Sequence, residues 1–143
     1  MSLLNIVCPY CLATNRIDSS RLAIRPGCDS CKQPLFSGRP SKLTARNVNT
    51  YLTGNDIPVV INFWSPSCEV NKAMEPAFAK ATLQLEPWVR LTRVNVELER
   101  GLPRTYHIRS TPTLLLMKNE KEIDRKSGLM SASDIMSWVS NKI

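Results

Sequence analysis

Five cysteines carry most of the chemistry legible in this chain, and they fall into two settings. Four form the pattern Cys8-x2-Cys11-x16-Cys28-x2-Cys31, two C-x-x-C pairs near the amino terminus. Each pair makes a tight knuckle that brings two sulfurs to one metal, and two knuckles complete a tetrahedron with no open position. The spacing fits a four-cysteine zinc ribbon in which the metal is structural. A segment this small does not hold itself together unaided, so metal-binding energy there is folding energy. Tetrahedral four-sulfur sites also accept iron, and metal-free redox cysteines are a third possibility.

The fifth cysteine stands apart. Val59-Val60-Ile61-Asn62-Phe63-Trp64 is a mostly apolar run that reads as a buried strand, and Ser65-Pro66-Ser67 is a small polar turn. Cys68 follows, at the start of a helix whose apolar positions are Val70, Ala73, Met74, Ala77, Phe78, Ala81 and Leu85. A helix start offers unpaired N–H groups and the positive end of a dipole, which favour an anion such as a thiolate. Such a position lowers a cysteine pKa from about 8.5 towards roughly 3.5–7.5. The neighbours pull in both directions. Glu69 opposes a thiolate, Lys72 helps slightly, and Asn71, one turn on, has an amide that could donate to the sulfur.

The elements that must position these groups follow in chain order. Residues 1–38 read as loop-like, punctuated by Pro9, Pro26, Gly27, Pro34 and Gly38. Ser37 to Lys42 reads as a linker and Leu43 to Thr53 as a weak first helix, ended by Gly54-Asn55-Asp56. Asn62, inside its apolar strand, is a buried polar group that needs partners. Pro76 interrupts the hydrogen bonding of the long helix. Val89 to Val96 is the next strand and Leu98 to Tyr106 a short helix. Thr113 to Met117 and Lys121 to Lys126 form an antiparallel pair across Lys118-Asn119-Glu120. Ser131-x-x-Asp134 caps a final helix with Ile135, Trp138 and Val139 inward. This order is α/β with a mixed sheet. The single histidine, His107, reads as an ordinary residue.

Composition narrows the function classes. The chain is 143 residues long and 43% hydrophobic, enough for one domain of ordinary size and a small module. No run approaches the about 18 apolar residues of a membrane span. The opening Met1 to Val7 lacks a basic region and a long apolar core, so it does not read as a signal peptide, and cytoplasm is the expected location. Four cysteines paired as C-x-x-C suit a reducing compartment. The net charge is +7, of which residues 1–42 carry +4 before any metal is bound. That excess is spread without blocks, which reads as a solvated basic surface. Nucleic-acid binding through Arg16, Arg21, Arg25, Lys32 and Arg39 is the less favoured reading, since only Tyr10 and Phe36 are interleaved with them.

The strand, Trp64-x-Pro66-x-Cys68 and helix together resemble the active-site segment of thioredoxins, whose usual signature is W-x-x-W-C-G-P-C. Arg109-Ser110-Thr111-Pro112-Thr113 looks like that family's cis-proline loop, and the two cysteine knuckles resemble the ribbon heading the zinc-binding second type of bacterial thioredoxin. The likeness covers essentially the whole chain. It implies a thioredoxin fold over residues 39–143, a central mixed sheet flanked by helices, behind an amino-terminal zinc ribbon over residues 1–38. It also implies a site in which Cys68 is the nucleophile, with Trp64, Ser67, Thr111 and Pro112 on the face that meets protein thiols and disulfides.

The departures from the family pattern are chemically pointed. Asn71 stands where the second cysteine is usual, Glu69 and Val70 stand for Gly and Pro, Ser67 for the second tryptophan, and Asn62 matches the acid that relays protons to the second thiol. A mixed disulfide on Cys68 would therefore wait for an outside thiol, such as glutathione. A thiol–disulfide oxidoreductase of monothiol type is the expected function. The alternative is a redox-inactive binding module that kept the fold and the peptide groove. A glutathione-assisted iron–sulfur carrier and a one-cysteine peroxidase are weaker readings; for the latter, Ile61 occupies the position where that chemistry uses proline.

Overall fold

In the computed structural model, which describes residues 2–143, two sheets share the chain. The first is an antiparallel hairpin of β1 (Leu3–Val7) and β2 (Thr14–Asp18), with Cys8 and Cys11 in its turn. A 3-10 turn, Ser19–Ile24, leads to the second knuckle, where Gly27 bridges Pro34. The loop-like expectation for residues 1–38 is thus corrected: strand pairing between residues up to 15 apart, Leu3 with Asp18, organises the segment. Punctuation by proline and glycine is local and does not reveal such a pairing. Residue 1, part of the opening stretch, lies outside the described residues.

The second sheet has the order β3-β5-β4-β6-β7. Its strands are β3 (Ser41–Lys42), β4 (Val59–Trp64), β5 (Arg90–Asn95), β6 (Thr113–Lys118) and β7 (Lys121–Ser127). β4 runs parallel to β5 and antiparallel to β6, so the sheet is mixed, and helices cover both faces: the thioredoxin fold. Alternation along β4 explains the two cores. Val59, Ile61 and Phe63 pack with α1 (Val48–Gly54) and α3 (Gly101–Thr105). Val60 packs on the other face with α2 (Glu69–Leu85) and α4 (Ala132–Lys142). The same period of two turns Asn62 and Trp64 toward the α2 side.

Two helical expectations needed adjustment. The first helix begins at Val48, not Leu43, because the Leu43 N–H extends the edge pairing to the Arg93 carbonyl at 2.8 Å and Asn47 Oδ1 accepts from Thr44 N–H in a turn. In α2 the inward face is Asn71, Met74, Phe78 and Ala81, whereas Val70 and Ala73 are exposed. The helix runs through Pro76, and Ser131 and Asp134 form the expected capping box of α4. Among the described residues no helix is long and apolar enough to cross a membrane.

Candidate active site and metal centre

The turn that presents Cys68 is closed by its own backbone: Cys68 N–H donates to the Ser65 carbonyl at 3.1 Å, with Pro66 suited to the second position of the turn. Glu97, just beyond β5, clamps it from outside. Its carboxylate accepts from the Ser65 hydroxyl and, at 3.2 Å, from the Ser67 N–H. The Ser65 hydroxyl, and then the Ser67 groups, hold the Glu97 carboxyl below its usual range. Sequence reasoning missed Glu97, which lies 32 residues from Ser65 with no local pattern to join them.

Cys68 is the N-cap of α2 and is half-buried. Its thiol lies 3.5 Å from the Thr111 carbonyl oxygen, and the Thr111–Pro112 peptide bond is cis. The loop residues therefore meet the cysteine although 43 positions separate them. The backbone N–H of Asn71 is the main reason the Cys68 thiol is held below its ordinary pKa. Partial desolvation acts against it, while Thr111 and the Val70 N–H act with it. The Asn71 side chain also draws the thiol down, the smallest of these effects, while at ordinary hydrogen-bond geometry both its amide atoms are buried without a partner among the described residues. Pro112 is buried and Ser67 exposed.

Trp64 is part-buried at the end of β4. The Arg93 guanidinium lies 4.3 Å over its ring, and its indole N–H has no partner. Asn62, 8% exposed, also has an unpaired carbonyl oxygen rather than the satisfied amide its position called for. His107 is exposed, and its backbone carbonyl accepts from Arg125 at 3.2 Å.

The four amino-terminal cysteines converge as their spacing requires. All four sulfurs lie within 4.8 Å of one another, with Cys8–Cys31 and Cys11–Cys28 both at 3.6 Å. Metal–sulfur bonds of about 2.3 Å in a tetrahedron put sulfurs about 3.8 Å apart, so the set fits a metal ion. Backbone and side-chain donors already face the sulfurs: Tyr10 N–H to Cys8 and Asn15 Nδ2 to Cys28, each at 3.4 Å. The Cys31 N–H first, then the Asn15 amide, draw the Cys28 thiol down to about 6. At Cys11 the Ala13 N–H favours the thiolate, but desolvation and the neighbouring sulfurs outweigh it and push the pKa up to about 12. Cys28 is thus drawn toward the thiolate form that binds a metal, while Cys11 is held back from it.

The cluster is joined to the larger sheet by Arg90, which is 1% exposed. Its guanidinium donates to the carbonyls of Val7 at 2.8 Å and Leu35 at 2.9 Å and lies 4.4 Å over the Phe36 ring. Glu86 supplies the opposite charge at 3.9 Å. The sequence carries no local signal for this role, since β5 is mixed and holds Thr92, Arg93 and Asn95 beside Arg90.

Comparison with known proteins agrees with this architecture. The thioredoxin family profile matches residues 39–141. Thioredoxin C-3 of Corynebacterium nephridii is 33% identical over 138 residues, covering 96% of this chain and 94% of that protein, so the likeness runs into the cysteine-bearing amino-terminal segment. The thioredoxin of Rickettsia bellii is 29% identical over 103 residues, 72% of this chain and 98% of its own. That of Haemophilus influenzae is 26% identical over 92 residues, 64% of this chain and 86% of its own. With its mixed sheet, its cysteine at the start of α2 and a cis-proline loop against that cysteine, the chain belongs to the thioredoxin family of thiol–disulfide oxidoreductases.

Proposed function

We propose that the protein is a monothiol oxidoreductase acting on protein disulfides, with Cys68 as its one nucleophile and zinc as the structural metal of Cys8, Cys11, Cys28 and Cys31 in a reducing, cytoplasmic setting. The observation that carries the reading is the position of Cys68: an N-cap sulfur, half-buried, 3.5 Å from the carbonyl before a cis proline, with Asn71 one turn on. The Cys68 thiolate attacks one sulfur of a substrate disulfide, forms a mixed disulfide, and the other substrate sulfur leaves as a thiolate that takes up a proton. Asn71 holds no sulfur, so a second, external thiolate must attack the adduct. Glutathione is the proposed reductant. One glutathione thiolate attacks the Cys68 sulfur of the adduct and releases the second substrate thiolate. A second glutathione thiolate attacks the resulting Cys68–glutathione disulfide, so that two glutathiones supply the two electrons, leave as glutathione disulfide and return Cys68 to the thiolate.

Thr111 and Pro112 are proposed to seat the substrate chain, whose backbone would pair with the loop as an added strand. Ser67, exposed beside Cys68, and Trp64 complete that face in the proposal. The test is capture of the adduct. Treatment with glutathione disulfide followed by intact-mass and peptide analysis is expected to place one glutathione on Cys68, and insulin reduction is expected to need added glutathione. A Cys68 that resists alkylation at neutral pH sinks the reading. A Cys68→Ser variant that keeps full partner binding while the wild type shows no exchange would favour the redox-inactive binding module instead.

A further inference from the structure

A cavity of about 480 Å³ opens at the carboxyl ends of the parallel strands β4 and β5, under the first turns of α2. Neither Cys68, Thr111 nor Pro112 lines it. Its depth is polar in an unusual way. Asn62 Oδ1, Trp64 Nε1 and both amide atoms of Asn71 are buried with no hydrogen-bond partner, and the residues bearing all of them line this one space. Asn62 is 8% and Asn71 6% exposed, so bulk water does not satisfy them. Folded proteins pair nearly all such atoms, and a concentration of unpaired ones marks a missing partner.

The walls and mouth define what that partner is. Pro40, Pro66, Phe78 and Ala79 present carbon. At the rim stand three cations, Arg39, Lys72 and Arg93, against the single carboxylate of Glu75. Arg93 is held in place by the Trp64 ring and by Glu75 at 3.8 Å, while Arg39 is exposed and makes no salt bridge among the described residues. The floor mixes donors and acceptors, since an amide offers both and an indole N–H only donates. A bare oxyanion would meet the amide oxygens unfavourably; a neutral amide would satisfy both kinds of atom. A volume in this range, with apolar walls and a few convergent polar groups, is that of a small-molecule site.

We propose that this cavity binds a small peptide-like acid, with an amide group paired to Asn62, Asn71 and Trp64 and a carboxylate at Arg39 and Arg93. The cavity leaves out Cys68, Thr111 and Pro112, although Trp64 borders both it and the proposed substrate face, and ligand binding there stands whether or not Cys68 exchanges disulfides. Ordered water alone is the competing occupant.

The test uses the full-length, metal-loaded protein and S-methylglutathione, which carries two peptide bonds and two free carboxylates but no thiol that could react with Cys68. Calorimetry is expected to show saturable binding, and NMR to show shifts at the Trp64 indole N–H and the Asn62 and Asn71 side-chain amides. Arg39→Gln, on the exposed rim, is expected to weaken binding about tenfold, the size of one lost charge-assisted hydrogen bond. Asn62→Leu is expected to abolish it, and the intact rim variant keeps the test decisive if that core change unfolds the protein. Cys68→Ser is expected to bind as the wild type does. No saturable heat or shift, shifts confined to the Thr111–Pro112 face, equal binding of inorganic phosphate, or unchanged affinity in Arg39→Gln would each overturn the proposal.

Discussion

Arg90 donates to the backbone carbonyl of Val7 at 2.8 Å, so a strand of the large sheet grips the residue immediately before Cys8. The other backbone group of Val7 is held as well: its N–H donates to Asn55 Oδ1 at 2.9 Å. Asp56 adds a second grip, its carboxylate accepting from Asn5 N–H at 2.7 Å. The hairpin that carries the first metal knuckle is therefore tied to the sheet that carries Cys68 by buried hydrogen bonds, and its apolar cluster includes Ile57.

Replacing Arg90 by methionine should cost about 3–5 kcal/mol, because Glu86 loses its buried counter-charge and keeps only Arg25 at 3.9 Å and the Gly38 N–H, while two buried carbonyls lose their donors. Chemical denaturation should read this loss, and metal release to a chelator should speed up. Arg90→Lys should fall between, since an ammonium cannot span Val7 and Leu35 as a planar fork does. A methionine variant with unchanged midpoint and metal retention would remove Arg90 from this role.

Gly54, at the end of α1, packs tightly on Val7 of β1. A Cβ added there would sit 2.6 Å from Val7 Cγ2. Gly54→Ala should therefore destabilise by about 1–3 kcal/mol through overpacking, despite the better helix propensity of alanine. Thermal unfolding of the pair of proteins checks it.

Metal removal should act far from the cysteines. Elemental analysis is expected to find one metal ion for the four converging sulfurs, and chelation is expected to expose the amides of β1 and β2 to hydrogen exchange. Because Val7 is bonded to Arg90 and Asn55, protection at the start of β5 should fall too. Retained protection after complete metal loss would contradict a structural metal.

The pH dependence of Cys68 alkylation should have its midpoint below that of an unfolded thiol, about 8.5, because the Asn71 N–H holds the folded pKa down. A depressed folded pKa contributes stability that is present above the unfolded value and lost as the pH falls through the folded one. Rate of alkylation against pH, with denatured protein as reference, measures the first part directly.

Asn71→Cys would return a second sulfur one turn after the first. Starting from the reduced variant, one round of insulin reduction should then proceed without glutathione and leave a disulfide between Cys68 and the introduced thiol, because the resolving step becomes intramolecular and gains several orders of magnitude. Further turnover draws its electrons from an added dithiol reductant. A variant that oxidises to a Cys68 disulfide yet still needs glutathione would move the block to the buried Asn62.

Much of the frame was legible in local patterns. The apolar run Val59 to Trp64, the run Thr113 to Met117 ahead of the Lys118-Asn119-Glu120 turn, and the capping box at Ser131 each encode their element within a few residues, and the structure forms all three. Val70 and Ala73 were misplaced for a physical reason: helical spacing alone allows several rotations, and the sheet beneath chose the one that buries Asn71. The helix expected from Leu43 failed similarly, since its first residues had a better partner in Arg93 of β5.

By itself the sequence determined which atoms could do chemistry: two cysteine pairs at metal-ligand spacing and one sulfur at a helix start, all set by neighbours a few positions away. Only the tertiary structure decided what those atoms face. Thr111 reaches Cys68 across 43 residues, Glu97 reaches Ser65 across 32, and Arg90 reaches Val7 across 83. Local periodicity tells a side chain which face to take, but its partner depends on how strands pair and helices cross, and that is settled only when the whole core packs together.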